Sequence, residues 1–228
     1  MTGIIVLCRY NSSRLAGKIL KEINGKTILS YIHERLSMIN LNLEITIATS
    51  NLESDDIIED YCLKKKYKYF RGSLSNVSKR FLECGIKNNY VNMVRINGDN
   101  LFLDFKLIEK MIISFKKNQY EFMSNVKNRT WPKGISVEIV KTDLYKKYIQ
   151  FFSKEDNEHV MTYFYRNPGK DFKFIYNDIE VESNLDFAID KLEDFILAKN
   201  IINRMKKNHV EYDYLDIINI ANQIKNEK

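Results

Sequence analysis

Three cations follow the first apolar run of this sequence. The run "GIIVL" (3–7) is typical of a buried strand, and the stretch "CRYNSSRLAGK" (8–18) after it places Arg9, Arg14 and Lys18 among small and polar residues. Fixed positive charge at the end of a buried strand can neutralise a nucleoside triphosphate and stabilise pyrophosphate as it leaves. A solvated basic turn would contain the same residue types, so the stretch by itself leaves both interpretations open.

Two other phosphate-binding patterns do not fit the chain. The segment "NGKT" (24–27) has the ending of a P-loop, but that pattern would require glycine where the chain has Leu20. The first strand is not followed by GxGxxG, which excludes the dinucleotide-binding fingerprint. A triphosphate would therefore depend on the cations after the first strand.

Two aspartates stand where a metal ion for such a triphosphate could be held. Asp99 follows the strand-like segment "VNMVRI" (91–96), and Asp190 ends the strand-like segment "LDFAID" (185–190). A reaction of a triphosphate normally needs Mg²⁺, which prefers oxygen ligands. Each aspartate also has a structural alternative, since Asp99 could simply form its "GDN" turn and Asp190 could be the N-cap of a following helix.

The elements that would position these residues alternate along the chain. β-Branched and aromatic runs predict strands at 3–8, 43–50, 91–98, 120–126, 134–140, 171–177 and 185–190, with 158–167 as an apolar extended segment. Amphipathic spacing predicts helices at 27–38, 55–65, 76–88, 104–117, 192–207 and 214–226, with Ser54 and Asp104 as N-caps. This alternation predicts one α/β domain over 1–228, with a mostly parallel sheet flanked by helices. Ligands of such sheets bind beyond the carboxyl ends of the strands.

Composition narrows the class of protein. The chain has 228 residues and a net charge of +6, but its basic residues are mixed with 30 acidic ones and form no nucleic-acid-binding motif. It shows no apolar run long enough for a membrane span and no signal-peptide pattern, so a cytoplasmic location is expected. Cys8, Cys62 and Cys84 are too widely spaced for a disulfide framework or a CxxC metal site.

Six segments in order resemble one family. They are "IIVLCRYNSSRLAGK" (4–18), "ATSNLESDDII" (48–58), "FRGSLSNVSKRF" (70–81), "VRINGDNLFLD" (94–104) and "SNVKNRTWPKGISVEIV" (124–140), followed by "EHVMTYFYRNP" (158–168). Together they resemble the SpsF-like cytidylyltransferases, which are related to 3-deoxy-manno-octulosonate cytidylyltransferase. The chain departs from the pattern at Cys8 (usually alanine), Ala16 (usually proline) and Asn76 (usually aspartate).

The resemblance implies a GT-A-like, Rossmann-related nucleotidyltransferase with a smaller irregular β/loop insertion on the acceptor side. Such an enzyme would transfer CMP from CTP and release pyrophosphate. The implied catalytic residues are Arg9, Arg14, Lys18 and Asp99. The implied nucleotide-binding residues are Leu7, Cys8, Arg9, Ser12, Ser13, Arg14, Lys18, Thr49, Arg71, Gly72, Asn76, Arg80, Asn97, Gly98 and Asp99. Asn76 lacks the family's negative charge, which leaves the choice of base open.

The same resemblance implies a metal and an acceptor. It places Mg²⁺ on Asp99 and Asp190, and relatives are commonly homodimers. The acceptor would be a small anion, a sugar acid or an organophosphate or phosphonate, bound by Asn125, Arg129, Trp131, Lys133, Glu138, Glu158 and His159. His159 could equally be a general base or a core residue. A different nucleotide, or a non-catalytic module that kept the fold, are the alternatives.

Overall fold

The computed structural model describes residues 1–12, 14–179 and 185–227, and one site residue predicted from the sequence, Ser13, lies outside them. Within the described residues one large sheet and a separate two-stranded sheet form. The strands are β1 (Thr2–Leu7), β2 (Glu22–Ile23), β3 (Lys26–Thr27), β4 (Leu43–Ser50), β5 (Lys68–Gly72), β6 (Asn92–Asn97), β7 (Phe122–Ser124), β8 (Glu138–Lys141) and β9 (Phe172–Phe174).

The helices lie between and after these strands. The α-helices are α1 (Ile28–Ser37), α2 (Asp56–Lys65), α3 (Val77–Lys87), α4 (Phe105–Lys117), α5 (Thr142–Tyr148), α6 (Lys154–His159), α7 (Thr162–Arg166), α8 (Leu192–Arg204) and α9 (Tyr214–Asn226). Short 3₁₀ turns occur at Lys18–Leu20, Glu53–Asp55, Lys127–Arg129, Ile149–Phe151 and His209–Glu211. No helix in the described ranges is long and apolar enough to cross a membrane.

The large sheet has the order β5-β4-β1-β6-β8-β7-β9. Strands β5, β4, β1 and β6 run parallel, β8 is antiparallel to both β6 and β7, and β9 runs parallel to β7. The predicted α/β class with a mostly parallel sheet is therefore confirmed. The carboxyl ends of β1, β4, β5 and β6 meet at one edge, which is where the informative residues of the sequence follow them.

Strand β1 is buried along its whole length because helices cover both faces of the sheet. Ile4 and Val6 join the cluster that α1, α2, α4, α8 and α9 complete. Ile5 and Leu7 join the opposite cluster, which α3, α5 and α7 complete. A continuous apolar run is what a strand buried on two faces requires, so "GIIVL" predicted this position correctly.

Several local predictions were wrong. Residues 158–167 form the end of α6 and all of α7 instead of an extended segment, because their buried apolar side chains face the core from short helices. Residues 185–190 make only a single bridge between Lys133 and Asp186, and β8 begins at Glu138 rather than at residue 134. Ser54 lies inside a 3₁₀ turn and caps no helix, whereas Asp104 caps α4 as predicted by accepting from the Leu107 N–H at 3.0 Å.

Candidate active site

The loop after β1 carries the three cations across the carboxyl edge of the sheet. It folds back on itself, since the Gly17 N–H donates to the Tyr10 carbonyl at 2.8 Å. Gly17 has φ +66°, and a Cβ there would lie 3.1 Å from the Tyr10 ring, so the turn into Lys18 favours glycine. This turn directs Lys18 into the cleft.

Asp55 holds the start of this loop. Its carboxylate accepts from the Tyr10 N–H at 2.8 Å, and also from the hydroxyls of Thr49 (2.8 Å) and Ser50 (2.5 Å) and the Ser50 N–H (2.9 Å). Burial alone would raise the pKa of Asp55, but these hydrogen bonds outweigh burial and lower it. Asp55 lies within the motif "ATSNLESDDII" (48–58), but the sequence indicates no role for it. The structure shows that it ties the loop after β1 to the end of β4.

Lys18, Asp99 and Asp190 converge on one point. The Lys18 Nζ lies 3.0 Å from Asp190 Oδ1, 3.5 Å from Asp99 Oδ2 and 2.7 Å from the Ile189 carbonyl oxygen. Arg14 reaches the other oxygen of Asp190, with Nη2 at 3.1 Å from Oδ2. Two of the predicted cations and both predicted metal ligands therefore form one cluster of charges.

The Asp99 carboxyl is more buried than that of Asp190. Burial raises the pKa of Asp99, and the neighbouring Asp190 adds to the rise, while Lys18 opposes it. Its Oδ1 atom is buried without a hydrogen-bond partner. A buried carboxylate oxygen without a partner is costly, so a further cation at this point would be stabilising.

The backbone brings Asp190 to Asp99 across 91 positions of sequence. The Ile189 N–H donates to the Asp99 carbonyl at 3.0 Å, and the Asp190 and Lys191 N–H groups both donate to Asp194 Oδ2 at 2.9 Å. Asp194 therefore satisfies the start of α8, and the alternative of Asp190 as its N-cap is wrong. The Asp190 side chain is left to face the cleft.

A cleft of about 280 Å³ opens above this cluster, between the β1 loop, the start of α3 and the end of α6. The predicted site residues that line it are Leu7, Cys8, Arg9, Ser12, Arg14, Lys18, Arg80, Asn97, Gly98, Asp99, Glu158, His159 and Asp190. Four further lining residues were not predicted, namely Ile19, Leu74, Val77 and Arg95. Leu74 and Val77 lie in the family motif at 70–81, and Arg95 lies in the one at 94–104. Their place in these motifs is the feature of the sequence that could have indicated them.

The remaining nucleotide-side predictions lie beside the cleft. Arg71 is turned outward, with Nη1 at 2.6 Å from both Asp56 and Glu59. Thr49 donates its hydroxyl to Asp55. Gly72 is buried, with a Cβ there meeting Arg80 Cγ at 3.0 Å.

Asn76 is the residue that departs from the family pattern at this end of the cleft. Its side-chain oxygen accepts from the Lys79 N–H at 2.7 Å and caps α3. Asparagine therefore keeps the capping function that an aspartate would have there. Its neighbour Val77 lines the cleft.

Most acceptor-side predictions are away from the cleft lining. The Asn125 amide accepts from the Val137 N–H at 2.8 Å and donates to a backbone carbonyl, which fixes the chain before β8. The Trp131 indole N–H donates to the Ile175 carbonyl, and Arg129 is exposed on a 3₁₀ turn. Lys133 pairs with Asp186 at 3.2 Å.

Glu138 lies behind the cleft rather than in it. It is buried and pairs with Arg95 Nη1 at 2.5 Å, and its other oxygen accepts from the Tyr165 hydroxyl at 2.5 Å. Arg95 itself lines the cleft, and its Nε is buried without a partner. Glu138 thus orients a cation that faces the cleft, which is an indirect role that its position in the sequence does not reveal.

Glu158 and His159 enter the cleft from the end of α6. Asp156 and Ser153 form a capping box at the start of this helix. After it the chain turns sharply at Val160, which has φ +63°, and the Met161 N–H donates to the His159 carbonyl at 2.7 Å. A β-branched residue at positive φ is strained, and such strain concentrates at functional sites.

The charge cluster fits a divalent cation. The described residues contain no group of three or more His, Cys, Asp or Glu side chains that could hold a metal. The two carboxylates of Asp99 and Asp190 nevertheless meet around the Lys18 ammonium, and one Asp99 oxygen has no partner. Two carboxylates with waters and phosphate oxygens as further ligands are the usual Mg²⁺ arrangement at nucleotide sites.

Comparisons with known proteins identify relatives of this chain. The spore coat polysaccharide biosynthesis protein SpsF of Bacillus subtilis (strain 168) is 30% identical over 175 residues, which are 72% of this chain and 70% of that protein. A cytidylyltransferase structure from Leptospira borgpetersenii serovar Hardjo-bovis is similar with a TM-score of 0.91 and 28% identity, covering 99% of this chain and 95% of that one. The CMP:2-keto-3-deoxy-manno-octonic acid synthetase complexed with CTP has a TM-score of 0.70 over 89% of this chain and 98% of that one, and its 15% identity shows a likeness of fold alone.

A sequence model of the cytidylyltransferase family matches residues 3–223, which is nearly the whole chain. The resemblance drawn from the ordered motifs is thereby confirmed. This protein belongs to the cytidylyltransferase family.

Proposed function

We propose that this protein transfers CMP from CTP to an anionic acceptor, a sugar acid or an organophosphate or phosphonate, and releases pyrophosphate. The observation that carries the proposal is the convergence of Arg14 and Lys18 on Asp99 and Asp190 at the carboxyl edge of the sheet. In a chain of this family, that cluster combines the cations and the carboxylates that a triphosphate reaction needs in one cleft.

The reaction is a substitution at the α-phosphorus of CTP. An acceptor oxygen forms a bond to that phosphorus, the bond to the oxygen bridging the α- and β-phosphates breaks, and pyrophosphate leaves with the electron pair. Arg9 and Arg14 line the cleft from the loop after β1 and would neutralise charge that grows on the pyrophosphate. Glu158 and His159 lie in the same cleft, where either could take the proton of an acceptor hydroxyl.

Asp99 and Asp190 would hold Mg²⁺. The ion, when bound, supplies positive charge to the phosphate oxygens. The ammonium of Lys18 lies between the same two carboxylates and is oriented by the Ile189 carbonyl. Lys18 would turn from the carboxylates toward the triphosphate when the nucleotide binds, because the triphosphate carries the greater negative charge.

An anionic acceptor is supported by positive charge that the nucleotide-side predictions do not use. Arg95 lines the cleft with a buried Nε that has no hydrogen-bond partner, and His159 lines the same cleft. Guanidinium groups bind carboxylates and phosphates with two parallel hydrogen bonds. The name of SpsF links that relative to polysaccharide synthesis, so we place the product of this enzyme in cell-surface polysaccharide synthesis. A cytoplasmic homodimer completes the proposal.

Pyrophosphate release tests the proposed function. The protein is incubated with Mg²⁺ and one of CTP, UTP, ATP or GTP, together with a panel of acidic sugars, sugar phosphates and phosphonates. We expect release with CTP and at least one acidic acceptor, and none with the Asp99→Asn variant. Release that prefers another nucleotide would contradict the assignment to CTP. CTP binding without release for any acceptor would favour a non-catalytic module.

A further inference from the structure

The segment that carries Asp190 has little regular structure of its own. Residues 185–190 belong to no helix or strand, and a single bridge joins Asp186 to Lys133. If the carboxylates of Asp190 and Asp99 are to bind the same ion, the backbone that carries Asp190 must be held in a fixed position. Some other part of the molecule must therefore hold this segment in place.

The turn at residues 132–134, which we call the 132–134 turn, makes the main contacts. The Lys133 N–H donates to the Leu185 carbonyl at 3.2 Å, and the Phe187 N–H donates to the Lys133 carbonyl at 2.9 Å. The Lys133 ammonium pairs with Asp186 at 3.2 Å. Two residues further on, the Ile189 N–H reaches the Asp99 carbonyl. The bonds form a continuous series from the 132–134 turn to the candidate metal ligand.

Apolar contacts hold the same segment from below. Leu185, Phe187 and Ile189 alternate along it and are all buried in the core. The Phe187 ring meets the Phe102 ring edge to face, with centroids 6.2 Å apart. Because Phe102 follows Asp99 within the same loop, this contact also ties the two aspartates to one cluster.

Gly134 allows the two segments to approach each other. It has φ +88°, and a Cβ there would lie 2.7 Å from the Phe187 carbonyl carbon and 2.8 Å from the Ala188 nitrogen. Real Cβ atoms do not come so close, and backbone atoms cannot swing aside as a side chain can. Any other residue at this position would push residues 187–188 away from the turn.

We propose that the 132–134 turn is a clamp that positions Asp190, with Gly134 as its positioning residue. Lys133, in this turn, was expected to bind the acceptor. In the structure its backbone instead bonds to Leu185 and Phe187, in the segment that carries Asp190. The role of Asp190 as a metal ligand rests on the proposed function, whereas the seating of residues 185–190 does not. Supporting groups behind metal ligands typically change metal affinity about 10–100-fold when they are altered.

Gly134→Ala tests the clamp, and Gly25→Ala is its matched control. Gly25 also has positive φ, at +73°, but a Cβ there would meet nothing within 4 Å. The two variants therefore share the backbone cost of alanine at positive φ, and only Gly134→Ala displaces a neighbouring segment. Asp186→Ala is a milder second variant, since Asp186 is partly exposed and its loss removes only the ion pair and a local hydrogen bond.

The first readout is amide hydrogen exchange by NMR in the full chain without ligands. We expect the Phe187 and Ile189 amides to exchange at least about tenfold faster in Gly134→Ala than in the wild type, and to a smaller extent in Asp186→Ala. In Gly25→Ala both should stay at the wild-type rate. If Gly134→Ala does not fold, Asp186→Ala alone carries this comparison. Unchanged exchange in the folded variants would overturn the clamp.

The second readout is Mn²⁺ affinity of the CTP-saturated protein, from the EPR signal of free Mn²⁺. We expect Gly134→Ala and Asp190→Asn each to weaken binding about tenfold or more, and the double variant to bind no more weakly than Asp190→Asn. Full additivity would overturn the claim that Gly134 acts through Asp190. The Phe187 amide could exchange faster in Gly134→Ala while Asp190→Asn leaves Mn²⁺ affinity unchanged. That result would support the clamp and remove Asp190 from the proposed metal site.

Discussion

At the scale of single residues, Arg14 and Lys18 carry similar charge in different surroundings. The Arg14 side chain is 67% exposed and pairs with Asp190, whereas Lys18 is 14% exposed and is held by two carboxylates and a carbonyl. Exposed ion pairs contribute little to folding. The two residues should therefore differ in what their loss does to stability, although both face the triphosphate in the proposed reaction.

Arg14→Ala should lower kcat/KM for CTP by roughly 10² because it removes a charge contact that strengthens as pyrophosphate leaves. Its thermal midpoint should stay within about 1 °C of the wild type. Lys64→Ala removes the same charge from an exposed position on α2 and is the control. Equal kcat/KM values for the two variants would mean that Arg14 belongs to a solvated turn.

Lys18→Met should lower the thermal midpoint in metal-free buffer, because it leaves Asp99 and Asp190 facing each other without the ammonium between them. Adding Mg²⁺ without nucleotide should then stabilise Lys18→Met more than the wild type, since the ion can take the place of the ammonium. Lys21→Met, whose Nζ lies over Phe195 outside the cleft, is the control for the substitution itself. A Mg²⁺ response equal to that of the wild type would argue against a cation position between these aspartates.

Asp99→Asn and Asp190→Asn should each nearly abolish turnover while the fold stays intact, since asparagine has the shape of aspartate without its charge. If the two hold one ion, their losses are not additive, and the double variant should be scarcely slower than the slower single one. The measurement is kcat for the four proteins at several Mg²⁺ concentrations, where added Mg²⁺ should partly rescue a single variant. A fully active Asp190→Asn protein would leave Asp99 as the sole ligand of the pair.

At the scale of elements, the site depends on carboxylates that bind backbone rather than substrate. Asp55 joins the loop after β1 to β4, Asp194 holds the start of α8 next to Asp190, and Asp156 closes the capping box of α6. Each stands at the end of a helix or a strand, where N–H groups lack partners within the element. The loops that bring the cations, the second carboxylate and His159 to the cleft are fixed in this way.

Asp55→Asn should destabilise the protein by about 1–3 kcal/mol at pH 7, because several buried donors lose a charged acceptor. The folded protein lowers the pKa of Asp55 below its ordinary value of 3.8. Its contribution to stability is therefore complete above the pKa of the unfolded chain and is lost as the pH falls through the lower pKa of the folded state. The measurement is urea unfolding of both proteins from pH 7 to pH 3. The advantage of the wild type should shrink below about pH 4, and a difference independent of pH would contradict this origin.

At the scale of the whole molecule, the sequence predicted what local patterns determine. The run at β1, the Asp104 cap of α4 and the order of the motifs each depend on neighbours in sequence, and the family pattern then indicated Asp99 and Lys18. The spacing could not show that Arg95 faces the cleft while Glu138 supports it from behind, because strands β6 and β8 pair across 43 positions. The prediction of an extended segment at 158–167 was wrong for a related reason, since a short buried apolar run is compatible with a helix and with a strand.

The choice of nucleotide is a property of the whole cleft, which no single residue fixes. Leu7, Leu74 and Val77 are apolar residues that line it together with Arg80, and the proposed triphosphate site at Arg14 and Lys18 would serve any nucleotide. If these apolar residues and Arg80 bind cytosine, CTP with Mg²⁺ should raise the thermal midpoint more than UTP, ATP or GTP, because only the preferred ligand binds the folded state tightly.

Arg80→Met is the variant that separates the base from the phosphates. Loss of the Arg80 guanidinium should reduce the difference in thermal midpoint between CTP and UTP. The smaller stabilisation by pyrophosphate with Mg²⁺ should stay unchanged, since Arg80 Nη1 donates to the Ser73 carbonyl and, within the described residues, makes no hydrogen bond to Lys18, Asp99 or Asp190. Asn76→Asp restores the family residue at the cap of α3 and keeps its acceptor oxygen, so it should raise stability slightly and leave the order of nucleotides as it is. Equal thermal midpoints with all four nucleotides in the wild type would remove cytidine preference from the proposed function. A change in the preferred nucleotide in Asn76→Asp would place base recognition at residue 76 rather than at Arg80.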